Sequence, residues 1–353
     1  MQIRLSAFVR KEILHILRDP RTMLVVLVIP VVLILLFGFT VTTDVNDLSV
    51  AVCAPVRSNA VNESVNRLSF SPYFRYKGFV DPAQIDKTLR TGQAAAVVVF
   101  DADYHISGKF QILLDGADVN TARTAQVYLQ NIIQGSSSQQ SLFEIHQIYN
   151  PQLRSSYTFA PGIMGMIFLL ICAMMTSISI VREKETGTME VLLVSPVKPI
   201  YIIISKILPY LILSTLNLAT ILILSRYVLD VPLSGGVWSV VVVSVMYLML
   251  SLALGIMVSN IAKSQIVALL ISAMVMIMPV IFFSGLLFPT GNIPWVLRWV
   301  TYIIPARWYI DAMRKLMIEG VPFMGVMLEF GILLFETLLL MVASTKKFND
   351  RLE

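Results

Sequence analysis

Charge is scarce in this chain. Asp, Glu, Lys and Arg make up 14% of its 353 residues, against roughly 25% in a soluble globular protein. With 56% hydrophobic residues and a mean hydropathy of +0.76, a protein living wholly in water is excluded. Cysteine is nearly absent. A bond between Cys53 and Cys172 would place one partner at membrane depth, so both are expected as free thiols. The three histidines, His15, His105 and His146, are too scattered to form a ligand set, and no metal site is expected. A G-x-x-x-x-G-K-[ST] phosphate loop is missing, since the Gly108-Lys109 pair has no glycine five residues upstream. ATP binding by that route is excluded, and with no nucleophile–base arrangement in view no catalysis is expected. The net charge of +5 and pI near 9.1 fit the basic flanks of membrane spans, so no nucleic-acid partner is expected.

What is present is a series of long uncharged runs. Residues 22–43, 159–181, 207–225, 237–259, 264–287 and 323–345 each approach the length that crosses a hydrocarbon core of about 30 Å. The first run follows Arg4, Arg10, Lys11, Arg18 and Arg21. It is too long for a signal-peptide core and no clean small-residue cleavage site follows it, so it is expected to stay as a span. Ahead of it, Ile3, Phe8, Ile13, Ile16 and Leu17 fall near one helical face with bases around the rest. Residues 1–21 therefore predict a cytoplasmic interfacial helix resting on membrane lipid, broken by Asp19-Pro20. Pro30 predicts a kink in the first span.

Between the first two spans the composition changes. Residues 44–158 read as an α/β domain with buried strands at Leu48–Cys53, 94–100 and Phe110–Leu114. Asp81-Pro82-Ala83-Gln84 predicts a helix start with Asp81 as N-cap, and Gly92 lies beyond that helix's end. Val119–Gln134 predicts a second helix. The fold class is an α-helical polytopic membrane protein of six transmembrane helices with this domain inserted. Residues 159–345 form a five-span bundle and 346–353 a cytoplasmic tail.

Lys and Arg in the short loops set the orientation. Residues 1–21 hold five, 182–206 four, 260–263 one and 346–353 three, against five in the short loops of the opposite side. Both ends of the chain are then cytoplasmic and residues 44–158 extracytoplasmic, in an inner membrane.

The loop 182–199 (REKETGTMEVLLVSPVKP) is the most informative stretch. Charges come first, then Gly187-Thr188, an apolar turn and two prolines. A short amphipathic helix bounded by Gly187 and Pro196 would present Glu183, Glu185 and Glu190 to a soluble partner; a plain solvated loop is the alternative. Glu183-Lys184-Glu185, Gly187-Thr188-Met189-Glu190 and Ser195-Pro196 resemble the E-x-E-x-G-T-x-E…P element of the type-2 ABC transporter permeases, the membrane subunits of drug, lipid and polysaccharide exporters. Position 186 departs from that pattern, with Thr where the family commonly has Arg, Gln or Lys. The resemblance implies a coupling helix that docks into a cleft of a separate ATPase subunit, with Glu183, Glu185, Gly187, Thr188, Glu190 and Pro196 as its contact residues.

A second resemblance follows the fifth run. Phe283-Ser284-Gly285, Phe288-Pro289, Ile293-Pro294-Trp295, Ile304-Pro305-Ala306 and Met313-Arg314 are similar to the family's extracytoplasmic re-entrant hairpin, here residues 283–320. Uncharged residues 264–297 are too long for one span, and Gly285, Pro289, Gly291 and Pro294 forbid a straight helix. Irregular backbone at that depth must be buried in protein or line a wet cavity, so Phe283, Gly285, Phe288, Pro289, Pro294, Trp295 and Pro305 are candidate gate residues. A partly buried loop anchored by interfacial tryptophans is the alternative. Glu329 and Glu336, seven residues apart, share one face of the last span. Charge at membrane depth points either to a polar packing face or to a cation- or proton-linked role.

The resemblance covers essentially the whole chain. It implies a membrane subunit of an ABC exporter that moves a hydrophobic or amphipathic substrate outward. ATP and Mg would be bound by the partner ATPase, with no cofactor in this chain. The other partners it implies are a second permease copy or paralogue and a periplasmic adaptor protein. The rival readings are an ion-coupled secondary transporter, with Glu336 as the sensing group, and a non-transporting envelope-assembly anchor.

Overall fold

A computed structural model describes residues 2–40, 48–114, 119–134, 150, 154–188, 199–287 and 293–349. The chain divides into two units, Met1–Val41 with Ser156–Glu353, and Thr42–Ser155.

The first unit is helical: α1 (Gln2–Arg18), α2 (Pro20–Thr40), α7 (Ser155–Glu185), α8 (Pro199–Tyr227), α9 (Val237–Ile261), α10 (Gln265–Phe283), α11 (Trp295–Ile303), α12 (Pro305–Met317) and α13 (Met327–Asn349). Five stretches are each long and apolar enough to cross a membrane: Ser155–Glu185, Ile204–Tyr227, Val237–Ile261, Gln265–Phe283 and Phe323–Ser344. The pair Val9–Arg18 and Met23–Phe39, bent by 70°, brings the number to six when it is counted as one span. The chain is a multi-pass membrane protein. Asp19-Pro20 separates α1 from α2, because proline lacks an N–H and disfavours helix at the residue before it. The third run begins earlier than its hydropathy suggests, since Pro199 at the first helical position starts α8 well ahead of residue 207.

Within this unit the α7 span lies 78% buried, whereas α10 and the last span are each 22% buried. Small residues let neighbours approach the central helix. Gly165 of α7 faces Tyr309 and Ile310, and Gly255 of α9 lies against the Ala173 carbonyl of α7. Tyr247 stacks on Tyr309 with centroids 4.1 Å apart. Both hydroxyls are satisfied in this apolar setting, Tyr247 donating to the Gly165 carbonyl at 2.9 Å and Tyr309 sharing a proton with Ser244 at 3.0 Å.

Pro30 lies inside α2. Without an N–H it cannot bond the carbonyl four residues back, that of Val26. Asn217 of α8, 4% exposed, donates Nδ2 to that same carbonyl at 2.8 Å. In lipid an orphan carbonyl is costly, so the proline and the asparagine form one feature.

The second unit carries β1 (Leu48–Cys53), α3 (Asn59–Ser69), β2 (Phe74–Phe79), α4 (Ile85–Arg90), β3 (Ala96–Phe100), α5 (Tyr104–Ser107), β4 (Phe110–Leu114) and α6 (Val119–Gln134). The strand order is β2-β1-β3-β4, with β1 parallel to β2 and β3, and β4 antiparallel to β3. Alternation splits β1 between two faces. Val50 and Val52 pack with Val61, Val65 and Leu68 of α3 and Ala125, Leu129 and Ile133 of α6. Ala51 and Cys53 pack with Ile85 and Leu89 of α4 on the other face. Burial, then the charge of Asp81, pushes the Cys53 thiol up.

Two sequence expectations change here and two elements are added. Strand β2 and helix α3 were not anticipated. Asp81 occupies the cap position but makes no side-chain cap bond, and a short 3-10 turn, Pro82–Gln84, precedes α4. The strand expected over 94–100 starts at Ala96.

Candidate functional site at the carboxyl end of α7

Four charged side chains from three helices converge where α7 ends. Lys206 of α8, 3% exposed, lies 2.9 Å from Glu12 Oε1 of α1 and 3.0 Å from Glu183 Oε2 of α7. The first contact is a hydrogen bond; the second is an ion pair, and Glu183 Oε2 finds no hydrogen-bond partner among the described residues. Lys11 of α1 completes the set, 2.9 Å from Glu183 Oε1 and 3.8 Å from Glu12 Oε1. Two carboxylates and two ammonium groups balance, as the buried Glu12, Glu183 and Lys206 require, with Lys11 half exposed at the edge of the set. Arg182 and Asp19, 3.6 Å apart, add a second tie between α7 and the α1–α2 junction. These charges fasten α1 to the ends of α7 and α8.

The next residues leave the protein interior. Glu185, exposed, accepts the Gln265 backbone N–H at 3.0 Å and a bond from the Gln265 side-chain amide. That contact puts an anion on the first turn of α10, where unpaired N–H groups and the helix dipole favour it. Lys184 donates to the Ser259 carbonyl near the end of α9. Gly187, at φ +72°, sits in the left-handed region that lets the chain turn off the helix. Thr186 donates to the Arg182 carbonyl at 2.9 Å and Thr188 to that of Glu183 at 3.2 Å. The end of α7 is thus pinned to α1, α8, α9 and α10, and Glu185 to Thr188 lie exposed upon it.

This arrangement corrects one expectation. Glu183 is not offered to a soluble partner; it is 7% exposed and taken up by Lys11 and Lys206. Glu190, Pro196 and the short helix expected between Gly187 and Pro196 lie outside the described residues. Lys11, Glu12 and Lys206 were absent from the sequence-derived site, because each reads there as a membrane-flanking charge. The available signal was Lys206 itself, alone in an apolar run from Ile200 to Leu208.

Past α10, Ser284 and Gly285 break the helix, Gly285 at φ +85°. Arg314 of α12 donates Nη2 to the freed Gly285 carbonyl at 2.6 Å, a cation at a helix carboxyl end. Leu286 lies directly over Gly162 of α7. Two short helices follow, α11 and α12, with Pro294 as the cap of α11 and Pro305 at the first position of α12. Phe283 packs partly buried against the core, whereas Trp295 is 77% exposed. Phe288 and Pro289 lie outside the described residues.

A family model described as ABC-2 family transporter protein matches residues 20–346. The chain belongs to this family. Among curated relatives, the probable multidrug ABC transporter permeases YbhS and YbhR of Escherichia coli (strain K12) are each 29% identical over 90% of this chain. The match covers 89% of YbhS and 90% of YbhR. The inner membrane transport permease YhhJ of the same organism is 24% identical over 89% of this chain and 88% of its own length. The protein is a transmembrane subunit of an ABC transporter.

In this ABC-2 chain the two acidic residues of the last span have different settings. Glu329, 4% exposed, pairs with Lys315 of α12 at 2.6 Å, a structural tie between α12 and α13. Glu336, half-buried two turns on, has its Oε2 buried with no hydrogen-bond partner among the described residues.

Proposed function

We propose that this permease carries a hydrophobic or amphipathic substrate outward across the inner membrane, driven by ATP hydrolysis in a separate subunit. It works as a pair with a second copy or a paralogous permease. Residues 1–21 and 346–353 lie in the cytoplasm, and 44–158 lie outside, where they recruit a periplasmic adaptor. The observation that carries this reading is the carboxyl end of α7. Glu185 to Thr188 stand exposed on a platform held by a four-charge cluster with three buried members, so a push on the segment beginning there moves α1, α7 and α8 together. The resemblance of Glu185, Gly187, Thr188, Glu190 and Pro196 to a coupling element supports the ATPase as the source of that push. The likeness to YbhS and YbhR, probable multidrug ABC transporter permeases, supports the substrate class. Phe283, Gly285, Phe288, Pro289, Pro294, Trp295 and Pro305 form the outward gate, which Arg314 holds through Gly285.

Inside-out vesicles holding this chain and its companion ATPase test the reading. Uptake of a lipophilic dye should require ATP and stop when the ATPase's nucleotide site is disabled. Uptake that follows an imposed proton gradient without nucleotide would instead favour ion coupling, the alternative to which Glu336 lends support, its buried Oε2 having no hydrogen-bond partner among the described residues.

A further inference from the structure

The bend between α1 and α2 opens a groove against α8. The two helices diverge at 70°, and α8 packs on both. A groove of 650 Å³ is left in the corner, lined by Ile13, Ile16 and Leu17 of α1, Met23 of α2 and side chains of α8 from Pro209 to Ala219. Its one hydroxyl is used within the helix, Thr215 donating to the Leu211 carbonyl at 2.8 Å, and every other lining side chain is apolar. A peptide or polar solute would lose hydrogen bonds to water there without replacement, which is costly. A hydrocarbon chain has none to lose.

The groove faces outward at membrane depth. Its α8 wall lies within the membrane-spanning stretch Ile204–Tyr227, and Leu17, Ile212, Leu216 and Ala219 are exposed along it. That wall begins ten residues beyond Pro199, about 15 Å into the helix, where the surroundings are hydrocarbon. One rim is basic. Arg10, Ile13 and Leu17 fall at i, i+3 and i+7 on one face of α1, Arg18 follows, and both arginines are exposed. The carboxylates of α1 and its junction are engaged elsewhere, Glu12 by Lys206 and Asp19 by Arg182. Among the described residues neither Arg10 nor Arg18 pairs with a carboxylate. Basic side chains at a membrane surface attract anionic head groups, and the guanidinium fork suits a phosphate.

We propose that this groove is a binding site for an anionic phospholipid, one acyl chain filling the corner between α1 and α8 while Arg10 and Arg18 hold the phosphate. This rests on the reading that residues 1–21 lie at the cytoplasmic face, and it narrows general contact with lipid to a single site. Because Glu12, Glu183 and Lys206 join α1 to α7 and α8, the lipid packs an open side of that joint.

Native mass spectrometry of the full chain in mild detergent, titrated with dioleoyl phosphatidylglycerol or dioleoyl phosphatidylcholine, tests the site. The wild-type chain should retain phosphatidylglycerol saturably and prefer it by about tenfold or more, as two basic residues at a membrane surface supply. That comparison does not depend on how any variant folds. Arg10→Gln together with Arg18→Gln should erase the preference. Ala219→Trp, which fills the groove from an exposed position, should remove retention of either lipid. Equal retention of the two lipids by the wild-type chain, or undiminished retention by Ala219→Trp, overturns the proposal. So does competitive displacement of the phospholipid by a lipophilic dye, which would give the groove to the transported substrate. A membrane-impermeant thiol reagent applied to Arg18→Cys in vesicles of either orientation separates the outcomes. Labelling from the cytoplasmic side without a lipid preference removes this proposal alone; labelling only from the opposite side removes the topology beneath it as well.

Discussion

Pro30 and Asn217 show how a single residue's chemistry reaches across the fold. Proline removes one N–H, and the carbonyl it abandons accepts a hydrogen bond from Asn217 of a neighbouring helix instead. Asn217→Leu should cost about 1–3 kcal/mol, the range for stranding a buried polar group. In the Pro30→Ala background the same substitution should cost much less, because an alanine in place of the proline restores the intrahelical bond. Unfolding in mixed micelles, run as a double-mutant cycle, measures the difference. The charge cluster makes a second contrast. Lys206→Met leaves buried Glu12 and Glu183 with only the half-exposed Lys11 between them and should destabilise by about 3 kcal/mol. Lys11→Met removes a half-exposed partner and should cost about 1 kcal/mol or less. Equal losses would show that the cluster is not organised around Lys206.

At the scale of elements, packing against the central helix sets what each position tolerates. A methyl on Gly255 would meet the Ala173 carbonyl oxygen at 2.6 Å and its Cα at 3.0 Å, backbone that cannot step aside. Gly255→Ala should therefore cost about 1–3 kcal/mol as overpacking. A methyl on Gly331 meets nothing, and Gly331→Ala should be neutral or stabilising by up to about 1 kcal/mol. Thermal inactivation of the two variants separates them. Elements with one strong period were legible before any coordinates: the apolar runs, the alternating strand at Leu48–Cys53, and Val119–Gln134. Strand β2 was not, because Arg75, Lys77 and Gly78 are the residues a defended edge uses and a strand pattern lacks. Helix α3 was missed because Val61, Val65 and Leu68 are its few apolar residues, spaced among polar ones. The site was half legible. The motif marked where α7 ends, but proximity of Glu183 to Lys206 and to Lys11 depends on how three helices meet, which local sequence does not encode.

At the scale of the whole molecule, an ABC-2 membrane subunit whose sequence has no phosphate loop needs an outside source of work, and the proposed coupling applies it at one place. The charge cluster ties α1, α7 and α8 to one another, and Glu185 ties the same place to α10. The most direct measurement is the ATPase rate of the companion subunit, reconstituted with this chain, with and without a lipophilic substrate. Wild-type chain should raise the rate when substrate is added. Glu190→Ala should abolish that rise while the chain still inserts and the basal rate persists. An undiminished substrate response in Glu190→Ala would contradict the account.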